Sequence, residues 1–141
     1  MQVQLIEEIK KLRNKIKGQK TLIEVYEQMS HSLGGSDYSV ERVDGSRDLR
    51  APFEKWIYKK MDAEEKLKGF EETLVIKLEE LSVAINSIES INHQSVLICR
   101  YLKEMRWEDI PSELGYSSSS IYRFHKEGLD LLGNLIVNES K

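Results

Sequence analysis

The spacing of apolar residues near the N-terminus constrains this chain most. Leu5, Ile9, Leu12, Ile16, Gln19, Ile23 and Tyr26 alternate steps of four and three, which is the heptad seam of a coiled coil rather than a generic amphipathic face. A helix with such a seam needs a partner helix. Glu7 and Lys11, with Lys10, Lys15, Lys17 and Lys20, fall off the seam and read as a solvated face rather than a nucleic-acid contact. Gln19 either sets the register of the seam or is a tolerated polar residue in it. The first helix is expected over residues 1–30.

The helical pattern resumes at Phe53 and is expected to run over residues 53–90. Leu67, Phe70, Leu74, Leu78, Leu81, Ile85 and Ile88 step by three and four with one extra four, a stutter in a heptad-like seam. Folding this helix antiparallel on the first would bury both seams, and a partner chain would do the same. Gly69 costs about 1 kcal/mol relative to alanine inside a helix, so a bend or break is expected near it. Trp56, Ile57 and Met61 read as a separate first turn. Between the two helices, residues 31–52 carry Gly34, Gly35, Asp37, Asp44, Gly45 and Pro52 without periodicity, which predicts a flexible connector. Its Tyr38, Val40 and Val43 are candidates to dock on the helices.

Residues 91–141 read as a helix-turn-helix domain. Asn92 is placed to cap a helix from His93 to Met105, with Val96, Leu97, Tyr101 and Leu102 covering the two helices downstream. Trp107, Ile110 and Leu114 recur at spacings of three and four, one apolar stripe on a helix of about two turns. Gly115 then suits the left-handed geometry after a helix C-terminus, and Ser117, Ser118, Ser119 and Ser120 offer side-chain oxygens to the orphan amides of the next helix. That helix turns Ile121, Phe124 and Leu129 inward. It continues through Leu132, Leu135 and Ile136, weakened by Gly128 and Gly133. Its outward face carries Ser118, Ser119, Tyr122, Arg123 and Lys126, short hydroxyls and long cations that suit base edges and phosphates in a major groove. The same helices would also describe a small αα-corner in a bundle. A helix used only for packing seldom begins with four serines and then exposes tyrosine and arginine.

Composition sets limits on the partners. The chain has 141 residues, 40% apolar and 32% charged, with two prolines and a net charge of -3, which describes a mostly helical, soluble protein of one or two small domains. Such a charge disfavours a general nucleic-acid coat or a membrane-surface binder. Over residues 91–141 the balance is slightly acidic, with Glu104, Glu108, Asp109 and Glu113 clustered in sequence. Counterion release then contributes little, and one copy is expected to bind DNA weakly without dimerisation or a protein partner. The single cysteine, Cys99, has Val96, Leu102 and Met105 as helical neighbours and reads as buried and inert, with no disulfide or cysteine metal site. The start MQVQLIEEIKKL lacks a signal-peptide core and no run approaches a membrane span, so a cytoplasmic location is expected.

Catalysis has little to stand on. His31, His93 and His125 fall in separate elements with no carboxylate or serine at a telling spacing. The pairs Glu64-Glu65, Glu71-Glu72 and Glu79-Glu80 lie on long helices as solvated faces, and no glycine-rich phosphate loop is present. No enzyme, cofactor or metal is expected.

The strings Arg100-Tyr101-Leu102, Trp107-Glu108-Asp109-Ile110, Leu114-Gly115-Tyr116-Ser117 and Ile121-Tyr122-Arg123-Phe124-His125 resemble the C-terminal part of ArpU/RinA-type phage late-gene transcription regulators, whose helix-turn-helix is similar to region four of bacterial sigma factors. A heptad-rich first helix, a connector with Val43-Asp44-Gly45-Ser46 and a second long helix match that layout. The resemblance implies a phage or prophage regulator in the bacterial host cell that binds double-stranded DNA and activates late genes. Ser118, Ser119, Tyr122, Arg123 and Lys126 would then face DNA, while Trp107 and Ile110 hold the first helix of the motif. Pro111 departs from the pattern, standing where alanine is common, and proline beyond a first turn would bend or shorten that helix.

The expectation is therefore an all-α chain: a coiled-coil or hairpin arm followed by a small sigma-region-four-like helix-turn-helix domain. Its DNA-binding set is Ser117, Ser118, Ser119, Ser120, Tyr122, Arg123 and Lys126, and the arm is expected to make a homo-oligomer. Two rivals stand beside it. One is a phage packaging DNA-recognition subunit resembling a small terminase. The other is a protein-only adaptor to host RNA polymerase, whose basic surface would meet the acidic cluster.

Overall fold

The computed structural model describes the backbone of residues 2–34 and 50–139 and the side chains of 4–31 and 54–133. Described residues form helices and no strands: α1 (Gln2–Gly34), α2 (Arg50–Asn86), α3 (Ile91–Leu97) with a π-helical turn (Ile98–Leu102), α4 (Ile110–Leu114) and α5 (Ser118–Glu139). The protein is all-α. None of these helices is long and apolar enough to cross a membrane. Residues 35–49 of the expected connector, including Tyr38, Val40 and the run from Val43 to Ser46, lie outside the described residues, as do the side chains of Leu135 and Ile136.

Both long helices depart from their expected limits, and α2 ends at Asn86 rather than 90. α1 runs to Gly34, beyond 30. α2 starts at Arg50 rather than 53, because Pro52 falls in its first turn, where the missing N–H would lack an intrahelical partner anyway. Trp56, Ile57 and Met61 thus belong to α2 itself. The helix also continues through Gly69 without a break. One glycine costs less than the adjoining seam gains by burial, and the Thr73 hydroxyl donates to the Gly69 carbonyl at 3.0 Å.

Two compact units divide the chain: Leu12–Thr73, and Met1–Lys11 together with Leu74–Lys141. In the first, α1 and α2 pair antiparallel. Gln19 Nε2 donates to the Ala63 carbonyl at 3.0 Å, Tyr26 packs on Trp56 with ring centroids 5.8 Å apart, and Lys60 pairs with Glu27. Hydrogen bonding to Lys60, then to His31, holds the Glu27 carboxyl below its ordinary value. The Gln19 bond makes this polar seam residue a register pin, since only one alignment brings it to that carbonyl. Within Leu12–Thr73 the seam packs on the chain's own second helix, the hairpin alternative to a partner chain.

The second unit has a core of Ile9, Leu81, Ala84, Ile85, Ile88, Leu97 and Leu132, with Leu5, Ile6, Leu74, Leu78 and Leu129 packed against it. The head expected over 91–141 therefore does not close its core alone; short helices offer too little apolar surface, and α1 and α2 supply the rest. α3 begins at Ile91 with Ser90 as N-cap and no side-chain capping bond, two residues before the cap expected at Asn92. Gln94 supplies the turn instead, its Nε2 donating to the Asn86 and Ile88 carbonyls left over at the end of α2. The helix expected to reach Met105 ends in the π-helical turn. Its closing bonds run from Lys103 N to Ile98 O at 2.9 Å and from Met105 N to Cys99 O at 2.9 Å, with Glu104 at a φ of 57°.

Candidate nucleic-acid interface

A second cluster of Val96, Cys99, Ile110, Ile121 and Phe124, flanked by Met105, Trp107 and Leu114, holds α3, α4 and α5 together. Ile110 and Ile121 are the hinge of this arrangement, at 0% and 1% exposure. α4 is shorter than expected: residues 107–109 form a turn and Pro111 falls in the first turn of a five-residue helix. The bend expected from this proline does not arise, because its missing donor is one the helix could not have used.

Gly115 ends α4 at a φ of 77°. In that left-handed conformation its N–H and that of Tyr116 both reach the Pro111 carbonyl, at 2.8 and 3.2 Å. Ser117 then caps α5. Its Oγ accepts from the Ser120 amide at 3.3 Å, and its carbonyl accepts from the Ile121 amide at 3.0 Å. The Ser117 hydroxyl also donates to Ser120 Oγ at 3.1 Å. Ser119 Oγ also bonds Ser117 Oγ at 3.3 Å, so three of the four serines take part in the turn, and Ser120 is half-buried.

Ser118, Ser119, Arg123 and Lys126 are exposed on α5, and Tyr122 is 54% exposed. The Tyr122 ring rests on Trp107, with centroids 5.1 Å apart and planes tilted by 33°. On the same indole lies the Arg100 guanidinium, its carbon 4.6 Å from the ring centroid, while His125 meets it edge-on at 4.7 Å. The Tyr101 hydroxyl and His125 Nε2 share a hydrogen bond of 2.6 Å, with the donor set by the imidazole tautomer. Burial, then the nearby Arg100 charge, holds the imidazole below its ordinary value. On the other flank of α5, His93 bonds Glu127 at 3.0 Å and Tyr116 donates to Asn92 Oδ1 at 3.0 Å.

The charges sort in a way that their sum conceals. Arg106 binds Asp109 at 3.2 Å and Lys103 binds Glu113 at 3.5 Å, so part of the acidic cluster is engaged with neighbouring cations. Arg100, Arg123 and Lys126 make no ion pair among the described residues. Cys99 is buried and free, and desolvation pushes its thiol above the ordinary value, so it stays unreactive. No group of three His, Cys, Asp or Glu able to hold a metal occurs among the described residues.

Sequence reasoning did not single out Arg100 or the Tyr101–His125 bond. The π-helical turn and the irregular residues after it separate Arg100 from Trp107, so no periodic spacing announces their contact. His93 and Glu127 are likewise 34 residues apart.

No match is found among curated proteins or solved structures. Over residues 36–133, from beyond α1 to within α5, the chain matches a family described as a protein of unknown function. With more than half of its length covered, this chain belongs to that family, DUF1492.

Proposed function

We propose that this protein is a sequence-specific DNA-binding transcription regulator that places α5 in the major groove. The observation that carries the reading is the first half of α5. Ser118, Ser119, Tyr122, Arg123 and Lys126 all face solvent there, and Arg123 and Lys126 have no carboxylate partner among the described residues. Hydroxyls and a tyrosine beside unneutralised cations supply hydrogen bonds to base edges and charge for phosphates. Ser117 and Ser120, also expected from sequence to touch DNA, form the cap at the start of the helix that carries this set.

The role in activating phage or prophage late genes rests on the likeness of the 100–125 strings to ArpU/RinA-type regulators. So few cations make one copy a weak binder, and two copies on adjacent half-sites would restore affinity by raising effective concentration. Engagement of Asp109 and Glu113 with neighbouring cations favours DNA over a basic protein as the partner.

The double variant Arg123→Ala with Lys126→Ala tests the reading. It is expected to abolish retardation of a promoter fragment taken from the protein's own genomic neighbourhood, while far-UV circular dichroism stays unchanged. Undiminished retardation by the folded double variant would overturn the assignment.

A further inference from the structure

We infer that Arg100, which lies outside α5, is an additional phosphate-binding residue held in place by Trp107. This rests on the DNA-binding reading of α5 and extends its contact surface to the turn after α3.

Arg100 sits in the π-helical turn Ile98–Leu102 and is half-buried. Two contacts fix its guanidinium: Nη1 donates to the Met105 carbonyl at 2.9 Å, and its central carbon lies over the Trp107 indole, 4.6 Å from the ring centroid. A guanidinium has five N–H donors, and the Met105 carbonyl is its one hydrogen-bond acceptor among the described residues. No carboxylate pairs with it there, in contrast to Arg106 and Lys103. An arginine that is immobilised but neither neutralised nor hydrogen-bonded to capacity has already met the side-chain entropy cost of binding an anion. The same Trp107 ring carries Tyr122 at 5.1 Å, so this cation stands beside the residue at the edge of the proposed base-reading face. An anion there, next to a helix reading bases, is a backbone phosphate. Trp107 thereby couples two kinds of contact, holding Tyr122 for the groove and Arg100 for the strand alongside it.

Counterion release separates this role from a merely structural one. Each phosphate neutralised adds about 0.9 to the slope of log affinity against log salt on duplex DNA. Fluorescence anisotropy of a short labelled duplex of randomised sequence, titrated between about 50 and 200 mM salt, reads that slope for the full-length protein. Arg100→Gln keeps a polar planar end and much of the stem and is expected to lower the slope by about 0.9; Arg100→Lys, which keeps the charge, is expected to retain it. An unchanged slope for a folded Arg100→Gln protein would overturn the inference even if affinity falls, since that result belongs to packing alone. Equal slope losses for Gln and Lys would also overturn it. Absence of any binding by the unsubstituted protein would instead remove the DNA reading itself, and this inference with it.

Discussion

Gly115 holds the left-handed conformation that turns α4 into α5, at a φ of 77°. A Cβ there would meet nothing within 4 Å, so an alanine substitution isolates backbone strain from packing. Gly115→Ala is expected to cost about 1–2 kcal/mol, seen as a lower urea midpoint with an unchanged slope; an unaltered midpoint would show that the turn tolerates another geometry. His125 gives a second residue-scale test, through pH. Its imidazole lies below its ordinary value because of burial and the Arg100 charge, so on acidification the unfolded chain takes up the proton first. The stabilisation is complete above about pH 6.5 and is lost as pH falls toward the lower folded-state value. His125→Gln, which keeps a hydrogen-bonding partner for the Tyr101 hydroxyl, is expected to flatten the decline in melting temperature below about pH 6.5. An equally steep decline in that variant would assign the acid sensitivity elsewhere.

At the scale of elements, α3 and α5 approach each other through Gly128. A Cβ on that residue would lie 3.1 Å from Leu97 Cδ1 and 3.6 Å from His93 Cβ. Leu97 is fully buried and has little room to yield. Gly128→Val is therefore expected to destabilise by about 1–3 kcal/mol through overpacking, with near-UV circular dichroism changing before helicity does. A stability equal to that of the parent would show that the helices separate freely. From the sequence, Gly128 is legible only as a weak point in a helix, because a close approach depends on what faces it. The heptad positions from Leu5 to Tyr26 and the Gly115–Ser117 turn are legible for the opposite reason: period and capping chemistry are local. The end of α3 is not, because the chain leaves the helix at a π-helical turn with Glu104 at positive φ, where no glycine or proline announces it. Likewise Pro111 and Pro52 read as helix breakers until the helix starts are known, and both prove to lie in first turns.

On the scale of the whole molecule, the helices that follow α2 depend on residues far from them in sequence. Ile9 is 2% exposed, and Leu81, Ile85 and Ile88 are 0%, 1% and 3% exposed, in one core with Leu97 and Leu132. Ile9→Ala is expected to cost about 2–5 kcal/mol, and a fragment of residues 91–141 is expected to show no cooperative thermal transition. Cooperative folding of that fragment would mean that α1 and α2 are dispensable to the head. The outward residues Ser118, Ser119, Tyr122, Arg123 and Lys126 are readable from helical periodicity alone. The support that Trp107 gives Tyr122, and the absence of an ion pair for Arg100, Arg123 and Lys126 among the described residues, appear only once the chain is folded. Backbone amide chemical shifts recorded while duplex DNA is titrated into the 141-residue chain locate the contact residue by residue. The largest changes are expected on residues 117–126, with a smaller set at 100 and 107; changes confined to residues 104–113, or none at saturating DNA, would contradict DNA binding through α5.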